Sequence, residues 1–105
     1  MNANDETYNG YANFETWCVA LWIDNDPGLY EQRCELVRDA LEAFRDDDNE
    51  ARYAVRSTLE DWLDEIAPDL GASLWSDLLT SALSAVDCDE LARMWITEAA
   101  ELVED

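Results

Sequence analysis

The stretch that decides the fold is Asn9–Pro27, NGYANFETWCVALWIDNDP. Inside it, Trp17, Cys18, Val19, Ala20, Leu21, Trp22 and Ile23 form an unbroken apolar run. Wound into a helix, that run covers every face rather than one stripe, and a helix apolar all round is normally buried among others. It is too short for a bilayer, which needs ~20 apolar residues. The reading is a buried N-terminal helix with later amphipathic helices laid around it. Asn13 suits the N-cap, and Glu15 falls in the first turn, where the helix dipole favours an acid. The helix runs from about Phe14 to Asn25. Upstream, Asn9-Gly10 is a turn signal, and Tyr8, Tyr11 and Phe14 around it would pin the segment to the bundle.

Working outward, Asp26-Pro27 restarts the chain, with Asp26 as cap and Pro27 in the first helical position, where a missing N–H costs nothing. Tyr30, Cys34, Val37, Leu41 and Phe44 recur at helical spacing, predicting a second helix to about Asp46. Asp46-Asp47-Asp48-Asn49 breaks it, and Asp48 can cap a third helix whose inner face carries Val55, Leu59, Trp62, Leu63 and Ile66. Pro68 and Gly71 end that helix. A fourth begins near Ala72, with Leu74, Trp75, Leu78, Leu79, Ala82, Leu83 and Val86 inward. Asp87 with Glu90 three residues on resembles a capping box opening a fifth, which faces inward through Leu91, Trp95, Ala99 and Leu102. No stretch alternates with period two, and no linker separates domains. The expected fold is all-α: one domain over residues 1–105, a compact bundle of about five helices around the buried N-terminal one, with residues 1–7 frayed.

Composition limits the function. The chain has 105 residues, 49% hydrophobic, with five Trp and four Tyr, enough apolar material for a packed core despite the charge. It holds 26 acids against six bases, a formal net charge of −20, and every base is Arg. Such an imbalance opposes compaction and argues against direct contact with nucleic acid or anionic lipid, both of which need basic surface. A basic partner is the natural complement. Halophilic adaptation or a high-GC genome would also make a surface acidic and poor in Lys, without lining the acids up in rows. Cys18, Cys34 and Cys88 are scattered, odd in number and without a CxxC pair, and read as reduced core residues of a cytoplasmic protein. The polar N-terminus lacks a signal-peptide pattern.

The chemistry-bearing residues point away from catalysis. Without histidine, the commonest general base and the Ser-His and Cys-His nucleophile pairs are missing. Three scattered Cys do not make a thiolate zinc site, and Gly10, Gly28 and Gly71 form no phosphate loop. Asp24, Asp26 and Glu35 match positions one, three and twelve of a calcium loop, but Leu29 stands where that loop needs Gly; they read as two helix-terminal acids and one surface acid. The expectation is a non-enzyme with no metal or cofactor. The five Trp lie on apolar helical faces and read as core, leaving Tyr8, Tyr11 and Tyr53 as exposed contacts.

The informative pattern lies on the second helix. At 100° per residue, Glu31, Glu35, Asp39, Glu42 and Asp46 fall within ~80°, opposite the apolar face, and span ~22 Å of axis. Neighbouring like charges ~5–6 Å apart weaken a helix slightly. Asp47, Asp48 and Glu50 continue the row, and Glu60, Asp61, Asp64 and Glu65 form a second cluster on the third helix. A rigid row of negative charges outlines a nucleic-acid backbone, whose phosphates recur every ~3.4 Å per strand. The alternative is a solvated face, acidic because the whole surface is. Arg38 and Arg45 edge the row and can pair with neighbouring acids. Arg33 falls in the apolar sector and must either snorkel or meet an acid from another helix.

Over Asn9–Asp26 the sequence resembles a group of short acidic proteins of phages, plasmids and other mobile elements. The likeness rests on Asn9-Gly10-Tyr11, then Asn13-Phe14-Glu15-Thr16-Trp17, then Leu21-Trp22 and Asn25. Leu74–Val86 carries a weaker similarity, and Cys18 and Cys88 stand where relatives are expected to carry Asn and Trp. The resemblance implies a mobile-element origin and no particular activity. In size, acidity and helical character the chain is also similar to antirestriction and anti-CRISPR DNA mimics, an analogy of physical type. The expected function is an inhibitor of a host defence nuclease or surveillance complex, occupying its basic channel in the host cytoplasm. The alternative is an acidic structural or adaptor protein binding through an apolar or Tyr-rich patch. A homodimer is expected if any Trp stays exposed.

Overall fold

The computed structural model describes residues 7–103, with side chains described from Thr7 to Ala100. The expected fraying of residues 1–7 therefore lies outside the described residues except at Thr7, and the inward placement of Leu102 lies outside them altogether. Five α-helices follow one another: α1 (Phe14–Asn25), α2 (Pro27–Ala43), α3 (Asp48–Ile66), α4 (Leu74–Ala85) and α5 (Cys88–Val103). Among the described residues there is no strand. Tyr8 and Tyr11 exchange both backbone hydrogen bonds, at 2.6 and 2.9 Å, across Asn9-Gly10. Both central residues have positive φ, as a tight two-residue hairpin turn requires.

The helix boundaries follow from their caps. Asn13 Oδ1 accepts the Thr16 N–H at 2.9 Å and starts α1. Asp26 Oδ1 accepts from Gly28 and Leu29 N–H, with Pro27 at the first helical position of α2. Ser73 caps α4, and its Oγ also donates to the Leu70 carbonyl. Two expected boundaries are corrected. The α2 helix stops at Ala43, because Phe44 leaves helical geometry while its N–H still reaches the Ala40 carbonyl. The α3 cap is Asp47, not Asp48: Asp47 Oδ1 takes the Glu50 N–H at 3.1 Å, and Asp48 enters the helix.

The centre of the bundle is not α1. The most extensive packing joins α3 to α5, with α2 against both, and the fully buried side chains are Ala51, Val55 and Leu59 of α3 and Leu91 and Ala92 of α5, with Thr16 alone from α1. The α1 helix buries only Thr16, Ala20 and Ile23. Trp22 is 66% exposed, and Leu21 and Phe14 also face solvent. A continuous apolar run permits burial on every side, but five short helices supply only enough partners for one of them. For the same reason Trp75 is exposed while Trp62 and Trp95 are core, and Tyr30, Phe44 and Ile66 are exposed rather than inward. On α2 the buried stripe is Arg33, Val37 and Ala40, turned from the expected stripe so that this helix nests between α3 and α5. Of α4, no residue is fully buried.

Candidate functional site

The acids of the α2 row all stand in solvent. Glu31, Glu35, Asp39, Glu42, Asp46, Asp47, Asp48 and Glu50 are each exposed, and among the described residues none is in a salt bridge. The described ion pairs are Arg33 with Asp24 and Glu98, and Arg52 with Asp89. Arg38 and Arg45 do not neutralise the row. Both line a half-open, mostly apolar cavity of about 400 Å³ between α2 and α5, walled also by Tyr30, Cys34, Val37 and Trp95, and Glu42 of the row stands at the same cavity without pairing to either. Because α2 ends at Ala43, the strictly helical row runs from Glu31 to Glu42, about 16 Å at 1.5 Å per residue. Asp46 belongs to the turn that follows, and Asp47 is committed to capping α3. Asp48 and Glu50 sit in the first turn of α3, where the dipole favours them.

The second acidic cluster divides in two. Asp61 and Glu65 face α2 across a shallow groove, opposite Glu35 and Asp39, over a floor of Leu36, Thr58 and Trp62. Four carboxylates from two helices thus line one concavity that the α2 row alone does not reveal. Glu35 and Asp39 flank Leu36 as Asp61 and Glu65 flank Trp62, and the packing of α2 on α3, which the sequence pattern does not specify, brings the acids together. Glu60 and Asp64 turn the other way, toward α4 and the start of α5, beside Leu63, Thr80, Leu83 and Cys88. There burial, with Glu60 and Asp87 adding to it, pushes the Cys88 thiol up to about 11. Cys18 and Cys34 are only half-buried, short of the core position expected of them, and all three thiols are free.

The calcium-loop reading of Asp24, Asp26 and Glu35 fails on geometry. Asp24 holds Arg33 at 2.6 Å, Asp26 caps α2, and Glu35 opens onto the groove with α3. Among the described residues no group of three or more His, Cys, Asp or Glu is arranged to hold a metal ion. No described helix is long and apolar enough to cross a membrane.

Arg33 takes the second of the two options its position left open and meets acids from other helices. Its side chain is buried, its guanidinium bonds Asp24 of α1 and Glu98 of α5, and the plane lies 5.1 Å from the Tyr30 ring centroid and 4.8 Å from that of Trp95. The residues of the Asn13–Trp17 motif are likewise occupied structurally. Asn13 Nδ2 donates to the Ala85 carbonyl at 2.7 Å, Thr16 Oγ1 accepts the Asp87 N–H at 2.8 Å, and Phe14 packs edge-to-face and Trp17 at a tilt against Tyr8. The expected capping box at Asp87 is half formed: Asp87 takes the Glu90 N–H, but Glu90 accepts from Ala12 N–H rather than returning to Asp87. The motif thus ties α1 to the α4–α5 junction.

The chain belongs to DUF7249, a family of unknown function, which matches residues 4–103. Among curated proteins and among solved structures nothing matches it.

Proposed function

We propose that this member of the DUF7249 family is a non-enzymatic, cytoplasmic inhibitor that imitates a nucleic-acid backbone and occupies the basic channel of a DNA-binding partner. Defence nucleases and surveillance complexes are the partner class suggested by the chain's likeness in size, acidity and helical character to antirestriction and anti-CRISPR DNA mimics. The observation that carries the reading is the exposed line of Glu31, Glu35, Asp39 and Glu42 on one ridge, none of them in an ion pair among the described residues, widened by Asp61 and Glu65 across the groove. Held on two packed helices, these charges need no backbone ordering on binding, which removes one cost of association. Their field speeds encounter with a basic surface and makes the complex sensitive to salt.

The test compares the wild-type chain with a Glu31→Arg/Glu35→Arg/Asp39→Arg variant, each immobilised and exposed to lysate of the native host. The wild type should retain a nucleic-acid-binding protein that duplex DNA or 1 M salt displaces, and the variant, with its helical signal intact, should not. Retention by both would remove the row from the interface.

A second reading, an adaptor binding through an apolar patch, is favoured by Leu74, Trp75 and Leu78 standing exposed on α4. Salt separates the two. The Debye length falls from ~10 Å at 0.1 M to ~3 Å at 1 M, weakening a charge-built complex, while an apolar one holds or tightens with excluded salts.

A further inference from the structure

Half of the chain's six Arg stand at one cavity. The half-open space of about 400 Å³ between α2 and α5 is lined by Arg33, Arg38 and Arg45, and two acids, Glu42 and Glu98, join them there. Bases thus outnumber acids at this one place, in a chain where acids outnumber bases 26 to six. Most of the remaining wall is apolar or aromatic, built from Val37 and Leu41 of α2, Ala99 of α5, and the Tyr30 and Trp95 rings.

These charges are not equally available. Arg33 is buried and bonded to Asp24 and Glu98, so that cation and the Glu98 carboxylate already satisfy each other. Arg38, Arg45 and Glu42 are exposed, and none is in an ion pair among the described residues. In chain order these three lie toward the C-terminal end of α2, beyond the paired Arg33. Two guanidinium groups against one carboxylate leave one positive charge in excess, at one end of a mostly apolar space.

We propose that this cavity binds a small amphipathic carboxylate, an aliphatic chain ending in a single anionic head. Its volume falls in the ~300–1,000 Å³ range of small-molecule sites, which combine apolar walls with a few placed polar groups. The aliphatic chain lies against Val37, Leu41 and Ala99, and the head meets Arg38 and Arg45, whose planar forks match a carboxylate. A cationic amphiphile finds Glu98 already taken and Glu42 outnumbered. A neutral one gains nothing from either guanidinium. The net charge of −20 repels anions at long range, so a cavity indifferent to the head group would favour the cation. The cavity lies on the α5 side of α2 and the four-carboxylate groove on the α3 side, so the inference goes beyond the proposed function and does not rest on it.

Titrating the full chain at pH 7 with octanoate, 1-octanol and octylammonium tests it, read by NMR at the methyl groups of Val37 and Leu41 and at the Trp95 indole. Octanoate should shift these signals saturably below about 10 mM. It should bind at least threefold more tightly than octanol, with octylammonium weakest at these signals. Arg38→Gln/Arg45→Gln, a pair of exposed substitutions, should bring octanoate down to the affinity of octanol or below it and leave octanol unchanged. Octanol or octylammonium binding there as tightly as octanoate overturns the proposal. So do octanoate shifts that never saturate or that centre on another part of the chain, and a double variant that keeps the preference for octanoate.

Discussion

Thr16 Oγ1 accepts the backbone N–H of Asp87 at 2.8 Å while donating to Asn13 Oδ1 at 2.6 Å, in a site with no solvent exposure. One hydroxyl thereby joins the first turn of α1 to the residue that opens α5. Replacing it by a methyl of the same shape leaves the partly buried Asp87 N–H without its acceptor, a loss of roughly 1 kcal/mol or somewhat more. For a chain of this length each kcal/mol moves the thermal midpoint by about 4–8 °C. Thr16→Val should therefore melt well below the wild type by circular dichroism, and Thr16→Ser, which keeps the hydroxyl, should lie close to it. Equal midpoints for the two variants would show that the methyl, not the hydrogen bond, is what the site needs.

Arg33 invites a different dissection. Its carboxylate partners Asp24 and Glu98 are themselves about half exposed, so losing the guanidinium returns them to water rather than stranding them. The greater part of Arg33's contribution is then the stem and the flat guanidinium packed between Tyr30 and Trp95. Arg33→Ala should cost on the order of 2 kcal/mol in urea denaturation, within the ordinary range for a point substitution, since no charge is left buried and unpaired. Arg33→Met, refilling the space without charge, should recover at least half. If Met is no better than Ala, the ion pairs dominate and the packing argument is wrong.

The local chemistry of the chain was legible in its sequence, while the choice between apolar faces was not. Asn13, Asp26 and Pro27 mark the ends of α1 and α2 because capping is decided within a few residues, and α1 runs as expected from Phe14 to Asn25. Trp22 and Trp75 sit on faces as apolar as those of Trp62 and Trp95, and only the pairing of α3 with α5 selects which are covered. The ridge of Glu31, Glu35, Asp39 and Glu42 could be drawn from helical spacing alone. The meeting of Glu35 and Asp39 with Asp61 and Glu65 depends on how α2 leans on α3, a tertiary fact. Asp46 and Asp47 were misplaced because a run of acids gives no signal for which one caps.

Charge repulsion within that groove should be measurable as stability. With Glu35, Asp39, Asp61 and Glu65 lining one concavity and no cation paired to them among the described residues, raising NaCl from 0.05 to 1 M should raise the melting temperature. Asp39→Arg should stabilise the chain at low salt by a few tenths of a kcal/mol to about 1 kcal/mol, the scale of surface pairs, and the gain should shrink at 1 M as screening takes over. A variant less stable than wild type at low salt would mean that Asp39 makes a favourable contact outweighing the repulsion.

Cys88 supplies a pH dependence whose sign is fixed by its surroundings. Burial first, then Glu60 and Asp87, raise its folded thiol from an ordinary 9.0 to about 11. Between those values the unfolded chain has lost a proton that the folded chain still holds, so folding stability falls as pH rises. The contribution is complete below pH 9 and gone above 11. Tyr11, also raised by burial and nearby acids, adds to the slope in the same range, so the thiol's share is read as a difference. Urea midpoints from pH 8 to 11 should fall more steeply for wild type than for Cys88→Ala, whatever the offset between them at pH 8. At pH 8 Cys88 should also resist iodoacetamide while the chain is folded, since the thiolate is the reactive form. Parallel midpoint curves, or fast labelling of Cys88 without unfolding, would mean that the thiol is not held neutral between Glu60 and Asp87.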